Sequence, residues 1–287
     1  MTAERLVSRV DDSPRLLALD VDGTLLTSTD ELTERTRRAL TRAEGSGWHV
    51  ALVTGRPLPI ALPVVHDLGL GRYVVAANGA TVADATTGTV LYQASLAGPV
   101  AIDAILRARR AVPALGLAVT TATGFFREAG FETLAPLSRT EGVVVDDALP
   151  DPTEAVHSVV LFVDHLDALG LLAEVVPVLP EGVEAMPSGL PGSVELTAPG
   201  VHKGRGLVEL SERLGVPRRR VVAFGDGLND HEMLTWAGLG VAMGNADPAT
   251  KAVADEVTAS NDEDGVAVVV ERLLTEQSGK YSGKGSP

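Results

Sequence analysis

Asp20 and Asp22 stand two residues apart in the run DVDGT, where an apolar stretch gives way to a turn at Gly23. Carboxylates this close repel one another unless a cation or proton lies between them, so the pair implies a metal or a catalytic role. Asp226 and Asp230, in GDGLND, would bring further carboxylate oxygens to the same ion. The chain has no cysteine and none of its His residues shows zinc-ligand spacing, so a hard, oxygen-ligated cation such as Mg²⁺ fits best. An Asx turn with a helix N-cap at Asn229 or Asp230 reads equally from that segment and can coexist with the ligand role. Lys203, between Gly200 and Gly204, opens a predicted helix at the end where the dipole disfavours a cation. An anion at that helix end would resolve the conflict.

These side chains must be positioned by the elements before them. Asp20 follows LLAL, Thr54 follows VALV and Asp226 follows VVAFG, so three apolar runs each end in a reactive group. Taken singly, Asp, Gly and Thr are ordinary loop residues after a strand. Taken together they converge, because strand ends in a parallel α/β sheet share one edge, where ligands bind near the topological switch point. Residues 33–44 show helical spacing closed by Gly45 and Gly47, and Pro57 and Pro59 suit the first turn of a helix towards Leu68, capped by Gly69. The order strand, helix, strand, helix, strand predicts a doubly wound parallel sheet. From residue 81 to 198 short strand-like pieces punctuated by Pro and Gly, with helices at 100–112 and 166–176, predict an inserted α+β domain. The α/β pattern then resumes, so the core is discontinuous, 1–80 and 199–287. The final SGKYSGKGSP lacks apolar periodicity and reads as an unstructured tail.

With these residues in view, the sequence resembles a haloacid dehalogenase (HAD) superfamily phosphatase of the Cof type, with a C2B cap. DVDGTL at 20–25, VTGR at 53–56, HKG at 202–204 and GDGLND at 225–230 match the four family motifs in order, and GLGVAMGNA and SNDEDGVA follow them. The resemblance implies a Rossmann-like core and Mg²⁺-dependent hydrolysis of a small phosphate monoester, such as a sugar phosphate, through an aspartyl-phosphate. It makes Asp20 the nucleophile and Asp22 the acid that protonates the leaving alkoxide and then deprotonates water. Thr54, Gly55, Lys203 and Asn229 would bind the phosphoryl group. Mg²⁺ would be held by Asp20, the Asp22 backbone carbonyl and Asp226, with Asp230 acting through water. Asn78, Asn245 and Asn261 read as loop-structuring residues lining the crevice. A phosphomutase using the same aspartates and a catalytically silent sugar-phosphate sensor are the competing readings, though a sensor has no need of Asp22.

Weaker signals resolve to structural roles. The glycines of GLGVAMG do not fit GxGxxG, and Lys203 precedes its glycine, so neither a dinucleotide loop nor a Walker A loop is present. His202 reads as a solvent-facing loop residue, and Phe125 and Phe126 as the core of the inserted domain. A formal charge of -14 disfavours nucleic acid and anionic lipid as partners. No apolar run approaches the ~18 residues of a membrane span, and the first residues carry no signal-peptide pattern, which makes the cytoplasm the expected compartment. The expected partner is a small phosphorylated metabolite, and the chain is expected to be a monomer or a small homo-oligomer.

Overall fold

The computed structural model describes residues 15–121, 123–131, 142–188 and 190–282. The chain runs β1 (Arg15–Asp20), α1 (Glu34–Gly45), β2 (Trp48–Val53), α2 (Leu58–Leu68), β3 (Tyr73–Ala76), β4 (Thr81–Asp84) and β5 (Thr89–Gln93). There follow β6 (Leu96–Ala97), α3 (Gly98–Ala111), β7 (Gly116–Thr121), β8 (Phe125–Arg127), β9 (Val143–Val144), β10 (Ala155–Phe162), α4 (Ala168–Val175), β11 (Glu184–Pro187) and β12 (Ser193–Thr197). The last part is α5 (Lys203–Leu214), β13 (Val221–Gly225), α6 (His231–Trp236), β14 (Leu239–Ala242), α7 (Pro248–Val253), β15 (Glu256–Val257) and α8 (Gly265–Ser282). Among the described residues no helix is long and apolar enough to cross a membrane.

The core is an eight-stranded sheet in the order β15-β14-β13-β1-β2-β3-β4-β5, parallel from β15 to β3. Both its faces are covered, which explains why its strands read as unbroken apolar runs. Leu17, Leu19, Val50 and Leu52 pack against α1, α2 and α8, while their neighbours Leu16, Ala18, Ala51 and Val53 pack against α5 and α6. The strand order reverses between β1 and β13. Leu19 lies opposite Phe224, and Asp20 lies opposite Val53, so Asp20, Thr54 and Asp226 emerge side by side at the carboxyl edge.

The inserted domain carries a second, mostly antiparallel sheet, β11-β12-β10-β7-β8-β9, with β6 added at the start of β10. Its period-2 alternation sorts two faces. Leu117, Val119, Val159, Leu161, Val194 and Leu196 pack beneath α3 and α4. Ala118, Val160 and Phe162 point to the other face, where Phe125 and Phe131 join them and Ile60 of α2 meets them from the core.

Three expectations need correction. The hairpin β4-β5 pairs antiparallel with β3 and extends the core sheet, so the insertion begins near β6 and not at residue 81. Gly88, at φ +70, makes that tight turn possible. Helix α8 runs to Ser282, taking in the first half of the segment read as an unstructured tail; residues 283–287 lie outside the described residues. β7 and β8, absent from the sequence reading, supply two strands of the second sheet.

Helix α5 is seated by two glycines. A Cβ at Gly206 would lie 2.4 Å from Val75 Cγ1 and 2.8 Å from Gly79 Cα, and one at Gly79 would lie 2.2 Å from the His202 carbonyl oxygen. Gly206→Ala therefore should cost about 1–3 kcal/mol through overpacking, read as a lowered urea midpoint. An unchanged midpoint would mean the helix tolerates displacement from the sheet.

Candidate active site

Lys203 is the first residue of α5 and is 1% exposed. Its ammonium donates to Asp20 Oδ1 and to Asp230 Oδ1, each at 2.6 Å. The cation at a helix N-terminus is thus explained by two of the protein's own carboxylates. His202 is the N-cap, with Nδ1 accepting from the Arg205 amide at 3.2 Å, which gives this loop histidine a structural role. Asp230 spends its other oxygen, Oδ2, on the amides of Asp226 and Gly227, both at 3.0 Å, and so shapes the loop after β13. Asp226 accepts from the Thr24 hydroxyl at 3.1 Å.

One oxygen from each of Asp20, Asp226 and Asp230 lies within 4.8 Å of the others. Three carboxylates against one ammonium leave two negative charges uncompensated, the charge a divalent cation carries. Burial pushes the Asp20 carboxyl well above its ordinary range, and Asp230 and Asp226 push it further against the pull of Lys203. Asp226 is raised to about 6, by burial first and by Asp230 next. For Lys203, burial disfavours the charged form but Asp20 and Asp230 override it and hold the ammonium above its ordinary value. The chemistry of the donor set therefore fits a hard cation. Gly23 is fitted to this cluster: at φ +82, a Cβ there would lie 2.4 Å from Asp226 Oδ2.

Asp22 stands apart, its side chain 47% exposed at the cleft, where Arg56 grips both oxygens through Nε at 2.9 Å and Nη2 at 2.5 Å. The carboxylate group of Asp22 is thus outside the cluster of Asp20, Asp226 and Asp230. Thr54 is buried at the end of β2; its Oγ1 accepts from the Arg56 amide at 3.1 Å, leaving its own hydrogen to donate. Gly55 lies where a Cβ would be 3.1 Å from the Ser188 carbonyl oxygen and 3.2 Å from the Asn78 amide. Asn229 donates to Asn78 Oδ1 at 2.9 Å. Asn245 donates to the Gly23 carbonyl at 2.8 Å and accepts from the Asn261 amide at 3.0 Å, while Asn261 donates to the Leu26 carbonyl at 2.8 Å, so both tie loops together.

A cleft of about 600 Å³ separates core from inserted domain. Asp20, Asp22, Gly55, Lys203, Asp226 and Asn229 line its core side. Thr54 and Asp230 do not line it; Asp230 is wholly buried behind Lys203. Phe125, read as core, is buried and lines the cleft as well. Two residues escaped the sequence reading. Arg56 closes the VTGR run, and its position just past a strand end was the available signal. Glu195, 1% exposed and lining the cleft, stands in SVELT, where alternation turns it away from α3 and α4. Burial raises its carboxyl to about 7, against hydrogen bonds from Asn78 and Ser158.

The profile of the haloacid dehalogenase-like hydrolases matches residues 17–270. The chain belongs to this family. The 5-amino-6-(5-phospho-D-ribitylamino)uracil phosphatase YitU of Bacillus subtilis is 33% identical over 263 residues, 90% of this chain and 97% of that protein. The HMP-PP phosphatase of Cronobacter sakazakii is 31% identical, over 82% of this chain and 85% of its own. Among solved structures, the HAD subclass IIB sugar phosphatase BT4131 superposes with a TM-score of 0.78 at 26% identity, covering 90% of this chain and 98% of that one. This hydrolase is a phosphatase, with the core and cap architecture of its relatives.

The charge excess sets a pH dependence in metal-free protein. An acid whose folded pKa is raised from 3.8 to about 6 costs stability above that window and ceases to do so as the pH falls below it. In chelator-treated protein Asp226→Asn should be more stable than wild type by about 2 kcal/mol at pH 7.5, the gap closing towards pH 4. Urea unfolding of both proteins across pH checks this. A pH-independent gap would mean that Asp226 is not strained by its neighbours.

Proposed function

We propose that this phosphatase hydrolyses a phosphate monoester of a small metabolite, in a Mg²⁺-dependent reaction through an aspartyl-phosphate on Asp20. The observation that carries the reading is the buried Lys203 ammonium at 2.6 Å from both Asp20 and Asp230, beside Asp226 and facing a cleft. Lys203 fixes the rotation of the Asp20 carboxyl by its bond to Oδ1. Asp20 attacks phosphorus and the bond to the leaving oxygen breaks, with Asp22 delivering its proton to that oxygen. Asp22 then takes a proton from water as the water oxygen attacks phosphorus, which releases inorganic phosphate and restores the Asp20 carboxylate. Arg56 holds both Asp22 oxygens in this structure and must release one of them for Asp22 to carry a proton to the leaving oxygen. The Gly55 and Asn229 region and the Lys203 ammonium receive phosphoryl oxygens, where donors fixed in advance stabilise charge as it develops, and the Thr54 hydroxyl, buried behind that surface, supports the Gly55–Arg56 turn through its bond to the Arg56 amide. Asp20, the Asp22 carbonyl and Asp226 would hold Mg²⁺, with Asp230 acting through water, and the bound ion supplies Lewis-acid polarisation of the phosphoryl group.

The cap selects the leaving group on this reading. Ile60, Phe125, Phe131, Val160 and Leu190 give the cleft an apolar wall, and Ser158 and Ser188 a polar one. Relatives named for a phosphoribitylamino-uracil, for HMP-PP and for a sugar phosphate support a phosphorylated metabolite with a leaving group of that size. None of these relatives is named as a phosphomutase, and hydrolysis accounts for the pairing of Asp20 with Asp22.

Asp20→Asn should abolish steady turnover while circular dichroism stays native, since an amide is a poor nucleophile. Phosphate release assays on protein free of deamidation check this, and sustained turnover would remove Asp20 from the reaction. Asp22→Asn should slow alkyl ester cleavage on the order of 10² to 10⁴-fold, with a smaller loss in the first step for p-nitrophenyl phosphate, whose leaving group needs no proton. Equal losses in single-turnover phosphorylation would contradict the acid role.

A further inference from the structure

Glu195 is a carboxyl buried in the cap, and no step above uses it. Its position follows from β12, where Val194 and Leu196 pack beneath the cap helices and Glu195 therefore faces the core, opposite Val160 of β10. Asn78 is its core partner. Asn78 lies in the turn after β3, buried, at φ +46, a conformation that Asn tolerates better than most residues. Its Nδ2 donates to Glu195 Oε2 and to the Ser188 carbonyl, the latter at 3.2 Å. Its Oδ1 accepts from Asn229 Nδ2 at 2.9 Å.

The donor and acceptor inventory makes this chain directional. The Ser188 carbonyl accepts only, and Glu195 accepts from Asn78, so the amide nitrogen of Asn78 must face the cap. Its oxygen then faces Asn229, and Asn229 must present its nitrogen to Asn78. Consistent with that, Asn229 Oδ1 lies on the Gly227 side, 2.9 Å from where a Cβ of Gly227 would stand. The second hydrogen of Asn229 Nδ2 remains for the cleft that Asn229 lines beside Asp226 and Lys203. Reversing the Asn78 amide would set nitrogen against nitrogen at Asn229 and oxygen against two acceptors at the cap.

We propose that Glu195 is a positioning residue for phosphoryl transfer: from the cap it holds the Asn78 amide in one rotation, and through Asn78 it aims the Asn229 amide at the transferring phosphoryl group. The cap thereby completes the phosphoryl site as well as selecting the leaving group. The inference rests on the phosphatase reading above, and it adds that Glu195 acts on the phosphoryl side of the cleft, without touching the leaving group. The acceptor function is what matters, so Glu195→Gln should serve: its Oε1 accepts from Asn78, and its Nε2 can donate to Ser158 Oγ once that hydroxyl turns its one hydrogen from residue 195 to Thr120 Oγ1, 3.5 Å away.

The test compares acetyl phosphate, whose leaving group is too small to span the cleft, with p-nitrophenyl phosphate, using full-length protein with Mg²⁺. Turnover by the wild type is what the function reading requires, so a failure there falls on that reading and a failure here shows only in the variants. Glu195→Leu should lower kcat by about tenfold for both substrates, with KM changed less than about threefold, and Glu195→Gln should restore most of the rate. A loss confined to p-nitrophenyl phosphate would make Glu195 a leaving-group contact and overturn the proposal, as would an unaffected Glu195→Leu or a Glu195→Gln as slow as the leucine variant. Should Glu195→Leu fail to fold, Asn78→Asp and the double variant Asn78→Asp, Glu195→Gln ask the same question with isosteric groups. The aspartate oxygen meets the Ser188 carbonyl in both variants but faces Glu195 in the first and a glutamine donor in the second, so kcat should fall and then recover at least threefold; no recovery would overturn the proposal.

Discussion

One ammonium group buried between two carboxylates is the constraint on which the rest of the structure depends. Lys203 is 1% exposed, and burying its charge without partners would be costly. Asp20 and Asp230 come from the ends of β1 and of the loop after β13, and they can reach one nitrogen only if those strands are neighbours. The ion triad thus demands the strand order that the α/β core provides. It also demands that α5 start close against the sheet, which Gly206 and Gly79 permit. The same triad leaves the carboxylate cluster short of positive charge, and that shortage is what makes the site receptive to a hard cation.

Above this rigid floor the cap contributes a face of different chemistry. Period-2 alternation in β7, β10 and β12 divides its residues between a helix-covered interior and the cleft, so a single sheet both folds the cap and lines the site. The contact between the two parts is polar at Asn78, Ser188 and Glu195, next to Asn229, and apolar where Ile60 meets Phe125 and Phe131. An enzyme arranged this way can keep the transfer chemistry constant in the core while the outer wall adapts to different leaving groups.

Much of this was legible in the sequence, for definable reasons. Strands buried on both faces appear as apolar runs, and a reactive residue after each run can only stand at the shared edge, so Asp20, Thr54 and Asp226 were found from local pattern alone. Lys203 was found because a cation at a helix start contradicts the dipole. What local pattern cannot report is which sheet a hairpin joins, and β4-β5 was for that reason assigned to the insertion although it pairs with β3. Strands as short as β8, and helix continuation through a Gly- and Ser-containing segment such as the end of α8, give little periodicity to read. The contacts of Arg56 with Asp22 and of Glu195 with Asn78 span 34 and 117 residues of chain, and no spacing rule connects partners so far apart.

The central claim is that Asp20, held by Lys203, becomes covalently bonded to phosphorus. It is tested most directly by mixing the enzyme and Mg²⁺ with a ³²P-labelled phosphate monoester, quenching in acid within one turnover, and reducing the trapped acyl phosphate with borohydride. The account predicts homoserine at position 20 and label on the peptide that contains it before reduction. Label on the peptide bearing Asp226 and Asp230, or none on protein during rapid turnover, would contradict it.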